Sequence, residues 1–233
     1  MENMIISEIH RLAALDNGEL CASMWRAHGL GVEFKDGFVA CLGTPPRFYP
    51  NIVTIDATID PLDQAQSISE RAAHVSGPFF VKDSFQALAL ESVGFEPLFD
   101  ASWIYRPAGL APGVTRLKWR RVTEAAVLRH WESAWSTGAD QLPLFVPRFL
   151  AGPAVTMLAG WADDKIEAGC VITIAGGVAG ISNVFGEAPE TIGAAATMFC
   201  DFDLVGYESG DALAAALDAG FQVVGDLMVW QRC

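Results

Sequence analysis

The sequence predicts a mixed α/β chain built as two related halves, each a mixed sheet with flanking helices. Three observations lead there. Segments of strand-type and helix-type patterning alternate along most of the 233 residues, the order that lays helices against a mixed sheet. A stretch near residue 100 is echoed near residue 226. Between the copies lies "RPAGLAPG" (residues 106–113), whose Pro and Gly content reads as a linker.

The echo sets "ALALESVGFEPLFDASW" (residues 87–103) against "LAAALDAGFQVVGDLMVW" (residues 213–230). Gly94-Phe95 precedes Gly220-Phe221 by 126 residues, and Asp100 precedes Asp226 by the same interval. In each copy an Ala/Leu-rich helix leads to Gly-Phe and then to an apolar strand ending near a Trp. Glycine suits the helix end because it enters the left-handed region without steric penalty. Upstream, "GPFFVKDS" parallels "FDLVGYES" as the strand feeding the helix. The economical division is 1–107 and 108–233, with net charges of 7 − 14 = −7 and 8 − 14 = −6.

The first half opens with a helix over residues 4–29. Strands follow near "VEFKDGFVACLG" and "NIVTIDAT", then a helix around "LDQAQSISERAAHV". Between the strands, "TPPRFYP" has the turn chemistry of a connecting loop, with Arg47 and Tyr49 able to touch a ligand. The second half reads as a strand "TRLKWRRVT", an amphipathic helix "EAAVLRHWESAWS", a short helix "LPLFVPRFL" and a strand "AVTMLAGWA" turning at Asp163-Asp164. The uncharged stretch of residues 168–186 is long enough to suggest a membrane span. Its β-branched residues and the pair Gly176-Gly177 instead predict a buried hairpin, because a tight turn needs positive φ angles. A helix, the strand "FDLVGYE", the helix "DALAAALDA" and a last strand complete the chain.

Composition narrows the function. A net charge of −13 excludes the basic face that nucleic-acid binding requires. Five scattered cysteines without a CxxC pair fit a reducing cytoplasm, and "MENMIISEIHRL" lacks the basic end and apolar run of a signal peptide. The four histidines are not at ligand spacing, so no metal is expected. No Gly-x-Ser-x-Gly elbow is present.

The hairpin is followed by "GEAPETIGAAATMF" (residues 186–199), and this order, with Gly-Phe near the end, resembles the GNAT superfamily (GCN5-related N-acetyltransferases). In that family a strand splayed from its neighbour admits the pantetheine arm of acetyl-CoA. A loop of the form Gln/Arg-x-x-Gly-x-Gly/Ala then wraps the pyrophosphate at a helix start, where unpaired amides and the dipole favour anions. The resemblance covers most of residues 116–232 and extends more weakly over 35–107, where no such loop follows "NIVTIDA". It implies a tandem with a degenerate first half. It also implies acetyl-CoA or another acyl-CoA as co-substrate, and a small-molecule or peptide amine as acceptor. Backbone near Val184 and Phe185 would hold pantetheine, and Glu190, Thr191, Ile192, Gly193, Ala194 and Ala195 would surround the pyrophosphate.

Two departures stand out. Glu190 occupies the Gln/Arg position, and a carboxylate ~5 Å from a phosphate costs about 3 kcal/mol at an effective dielectric of 20. In a first helical turn the same Glu is favourable through the dipole. The family's Tyr, four residues before the Gly, is Ala216 here and Leu90 in the first half, which leaves Tyr207 and Ser209 as the nearest hydroxyls for a catalytic role. Three readings follow: an N-acyltransferase, a catalytically silent binding module, or a self-associating pair whose sheet edges form a homodimer.

Overall fold

The first helix, α1 (Glu2–Ala27), buries Ala13, Ala14, Leu20, Cys21, Met24 and Trp25. That three- and four-residue spacing gives a helix a single apolar stripe. Asp16 and Asn17 lie on the same buried stripe and bring polar groups to the sheet beneath. The computed structural model describes residues 2–111, 113–136 and 143–233, so Pro112 of the linker and Leu142 of the expected short helix lie outside the described residues.

After α1 come β1 (Gly31–Lys35), β2 (Phe38–Leu42), β3 (Ile52–Thr54), α2 (Pro61–Ala73), β4 (Phe79–Asp83) and β5 (Glu96–Arg106). The second half runs β6 (Lys118–Arg121), α3 (Ala125–Trp135), β7 (Val155–Ala162), β8 (Lys165–Ala175), β9 (Val178–Phe185) and α4 (Ala188–Met198). It ends with β10 (Leu204–Glu208), α5 (Gly210–Asp218) and β11 (Gln222–Arg232). The α2 start follows from its sequence: Asp60 accepts the Leu62 amide at 2.8 Å, and Pro61 supplies a preset φ where no amide is needed. The residue 168–186 stretch is the expected hairpin, β8 and β9, with φ of 62° and 87° at Gly176 and Gly177. Among the described residues no helix is long and apolar enough to cross a membrane.

The eleven strands among the described residues join one sheet in the order β1-β2-β3-β4-β11-β5-β10-β9-β8-β7-β6. The strands β5 and β11 are therefore crossed over relative to chain order: β11 pairs with β4, and β5 pairs with β10. The echo of 126 residues is carried by these strands, since β5 (Glu96–Arg106) and β11 (Gln222–Arg232) have equal length and matching offsets. Lys82 on β4 pairs with Val229, and Tyr207 on β10 pairs with Trp103, so the crossing repeats in register.

Helices cover both faces. On one, α1 crosses β2, β3, β5, β8, β9, β10 and β11, and α3 packs beside it around Trp25, Trp131 and Phe149. On the other, α4 and α5 cover Ile172, Ala179 and Leu204, while α2 covers Phe38, Ile52 and Val81. Two buried indoles lock layers together by donating to carbonyls: Trp103 to Ser84 and Trp131 to Leu158, each at 2.8 Å.

Two expected helices are shorter than the sequence suggests. The first copy of the Ala/Leu-rich helix is one 3-10 turn, Leu90–Val93, because Asp83 draws the preceding chain into a loop. Its carboxylate accepts the amides of Leu88 at 2.8 Å and Phe85 at 3.3 Å, and Gln86 takes a φ of 50°. The expected helix "LPLFVPRFL" is reduced to a 3-10 helix, Pro147–Ala151. Proline lacks the amide a longer helix would use and holds the preceding residue extended, as Val146 is at ψ 152°.

Candidate functional site

The parallel pair β9–β10 is short. It pairs only at Ala179–Leu204 and Gly180–Val205, after which the strands diverge. The cause lies in β9. Gly169 opposes Phe185 while Val171 opposes Ser182, so β9 carries one extra residue against β8, and Asn183 adopts a φ of 51°. Such a bulge bends its strand away from the neighbour. β10 stays with β5, where Gly206, Tyr207 and Glu208 pair with Ile104, Trp103 and Ser102.

The opening between the strands is a cavity of about 270 Å³ lined by Ser182, Asn183, Val184, Tyr207 and Glu208, with Asn17, Tyr49 and Lys82 at its inner side. The Tyr207 ring packs edge-on against Trp103, with centroids 5.5 Å apart, and its face receives the Lys82 ammonium at 4.0 Å. Loss of solvent pushes the Glu208 carboxyl above its ordinary range. Ser209 is exposed at the N-cap of α5, makes no side-chain cap bond and does not line the opening.

The structure gives Glu190 a specific place. It is 5% exposed and turned toward the strand leader. One oxygen accepts the amides of Arg116 at 2.9 Å and Leu117 at 3.0 Å and the indole N–H of Trp119 at 3.0 Å; the other also accepts from the Arg116 amide, at 2.9 Å. Burial alone would raise its pKa. The Trp119 indole, the two amides and the Arg116 guanidinium outweigh it and hold the carboxyl below its ordinary range. Arg116 itself pairs with Glu187 at 2.5 Å.

Thr191, Ile192, Gly193, Ala194 and Ala195 are buried within α4. Their amides belong to the helical ladder, since Thr191 already donates to Glu187 and each later residue donates four positions back. The donors that α4 leaves without helical partners are in its first turn, Ala188 and Glu190, because Pro189 has none. Gly193 admits the chain's own backbone: a Cβ there would meet the Gly113 carbonyl oxygen at 3.2 Å. Val184 lines the opening, whereas the Phe185 ring packs edge-on against Trp131 with centroids 5.0 Å apart. Sequence reasoning had no signal for Glu208, Lys82 or Asn17, which share neither a motif nor a spacing.

No protein-family model and no curated protein matches this chain. Solved structures do. A GCN5-related N-acetyltransferase from Kribbella flavida superposes with a TM-score of 0.66 at 13% identity, covering 95% of each chain. A protein of unknown function from Staphylococcus epidermidis gives 0.62 at 9% identity, covering 86% of this chain and 92% of its own. The chain has the GNAT fold. A third structure, described as an acetyltransferase of the GNAT family from Novosphingobium aromaticivorans, agrees at a TM-score of 0.53 and 10% identity over 86% of this chain and 89% of that one.

Proposed function

We propose that this chain is an acyl-CoA-dependent N-acyltransferase, moving an acetyl group to an amine of a small molecule or peptide. The observation that carries the reading is the opened β9–β10 pair with Tyr207 and Glu208 at its mouth. Past Gly180, the β10-facing edge of β9 has no partner strand among the described residues, so its backbone around Val184 is free to pair with an extended arm such as pantetheine. The first-turn amides of α4 and the Arg116 guanidinium are the groups that would meet a pyrophosphate. Glu208, whose pKa burial raises and which is thereby a stronger base than an exposed carboxylate, takes the proton of the attacking amine. The Tyr207 hydroxyl, at the same opening, returns a proton to the departing thiolate. The acyl group is supplied by the co-substrate. We read residues 1–107 and 108–233 as tandem halves, the first without a phosphate loop, in a cytoplasmic protein.

A second reading, a catalytically silent binding module, rests on Glu190. Its carboxylate is satisfied by the chain's own backbone, and residues 113–117 lie across α4. Calorimetry with acetyl-CoA at millimolar concentration, followed by acetyl transfer to a panel of amines, separates the two. Heat and turnover support the enzyme; an intact fold with neither supports the silent module and ends the first reading. For self-association, the edge strand β6 carries Lys118, Arg120 and Arg121, charges that oppose edge-to-edge pairing.

A further inference from the structure

The loop that spells "TPPRFYP" and the strands below it enclose a second, larger cavity of about 630 Å³ that adjoins the β9–β10 opening. Its wall is apolar, formed by Pro46, Phe48, Phe80, Leu98, Phe99 and Val229. At its floor lies the cation Lys82, while the exposed Arg47 lines the loop side over the Phe48 ring. Lys82 is 5% exposed, donates to Asn17 Oδ1 at 2.8 Å and rests against the Tyr207 ring. An ammonium has three N–H groups, and among the described residues Lys82 has no other hydrogen-bond acceptor and no carboxylate in ion-pair contact. Tyr49 lines the same cavity at 7% exposure, but its hydroxyl oxygen has essentially no accessible surface; it approaches the Asn183 side chain without reaching hydrogen-bond geometry and has no partner among the described residues.

A buried ammonium partnered by a neutral amide and a ring face still lacks the counter-charge that would offset its desolvation. A carboxylate has the acceptor oxygens for the spare ammonium protons. A cavity of this volume is of small-molecule size.

We propose that this cavity binds a small carboxylate with an apolar, ring-sized body, its carboxylate on Lys82 and its body among Phe80, Phe99 and Val229. The site needs no acyl-CoA and stands whether or not acyl transfer takes place next to it. Phe48, Leu98 and Phe99, exposed by 67%, 44% and 43%, form the entrance.

The test is calorimetric titration of the whole protein with hydrocinnamate, hydrocinnamamide and phenylpropylamine, which share one body and differ in charge. The anion is expected to bind about tenfold or more tightly than the amide, a difference of about 1.4 kcal/mol, and the amine not to bind. Lys82→Met removes the charge and is expected to weaken hydrocinnamate at least about tenfold. Because Lys82 is buried and that variant can fail to fold, Leu98→Trp gives an independent check: it fills the entrance from a half-exposed position and should block hydrocinnamate with Tm unchanged. Equal affinity for anion and amide, no heat with the anion at millimolar concentration, or binding indifferent to Leu98→Trp would each overturn the proposal. So would a dimer in sedimentation that Leu98→Trp dissolves while the anion fails to bind, since the entrance would then belong to a second copy.

Discussion

Replacing Glu190 by Gln distinguishes a carboxylate kept for the chain's own backbone from one left at a phosphate loop. The two side chains are nearly isosteric, so the change is chemical. In the native protein three distinct donors, the amides of Arg116 and Leu117 and the Trp119 indole, converge on the carboxylate. Glutamine keeps one acceptor oxygen and puts an NH₂ where the second oxygen now accepts the Arg116 amide at 2.9 Å. In one orientation the three bonds survive as neutral ones; in the other the Arg116 bond survives and those from Leu117 and Trp119 are lost. Hydrogen bonds to a charged group contribute about 1.5–3 kcal/mol and neutral ones about 0.5–1.5, so losing roughly 1 kcal/mol from each of three bonds destabilises by about 2–3 kcal/mol. For a chain of this size that lowers Tm by about 4–10 °C. Urea unfolding at pH 7 reads the difference, and a pH series reads its origin. The folded pKa of Glu190 lies below the 4.5 of an unperturbed glutamate. Its contribution is thus present above that value and lost as pH falls through the lowered one, and the gap between native protein and variant should close on acidification. A variant within about 0.5 kcal/mol of the native protein at pH 7, or a gap independent of pH down to the acid limb, would refute a structural role for the Glu190 carboxylate.

Gly180→Ala should destabilise by about 3 kcal/mol in the same unfolding assay, because the new Cβ would stand 1.6 Å from the buried Asp16 carboxylate and lift α1 from the hairpin. Asp16 has its carboxyl raised well above 3.8, first by burial; its stabilising share is therefore full at low pH and lost as pH rises through the folded value. Asp16→Asn should flatten that decline, measured as Tm at pH 5 against pH 8, and an unchanged slope would count against it. If the protein transfers acyl groups, Tyr207→Phe should lower kcat about a hundredfold, within the range of a lost general acid, while leaving Tm in place. Full activity in that variant removes Tyr207 from the chemistry.

Much of the fold was legible because it is local. Gly176-Gly177 demanded a turn with two positive φ angles, and the β8–β9 hairpin has it. The stripe on α1 and the Asp60-Pro61 start of α2 are settled within a turn or two of helix. The expected helix after β4 failed for an equally physical reason: Asp83 offered the Phe85 and Leu88 amides a partner outside the helical ladder, which patterning of apolar residues does not register. The candidate cleft was legible only in outline. Val184 and Tyr207 come together there, whereas Ser209 is left on the surface.

By itself, then, the sequence determined the alternation of strands and helices, the hairpin and the 126-residue echo, because turn chemistry and side-chain periodicity act over a few residues. Tertiary structure decided what could not be read along the chain. The crossing of β5 and β11 arises from pairing choices among strands far apart, β4 with β11 and β5 with β10. Glu190 looked like a misplaced charge until its donors, 71 to 74 residues earlier, closed around it. Lys82 and Tyr207, from different halves, became neighbours at 4.0 Å because the crossed strands brought β4 and β10 to either side of the β11–β5 pair.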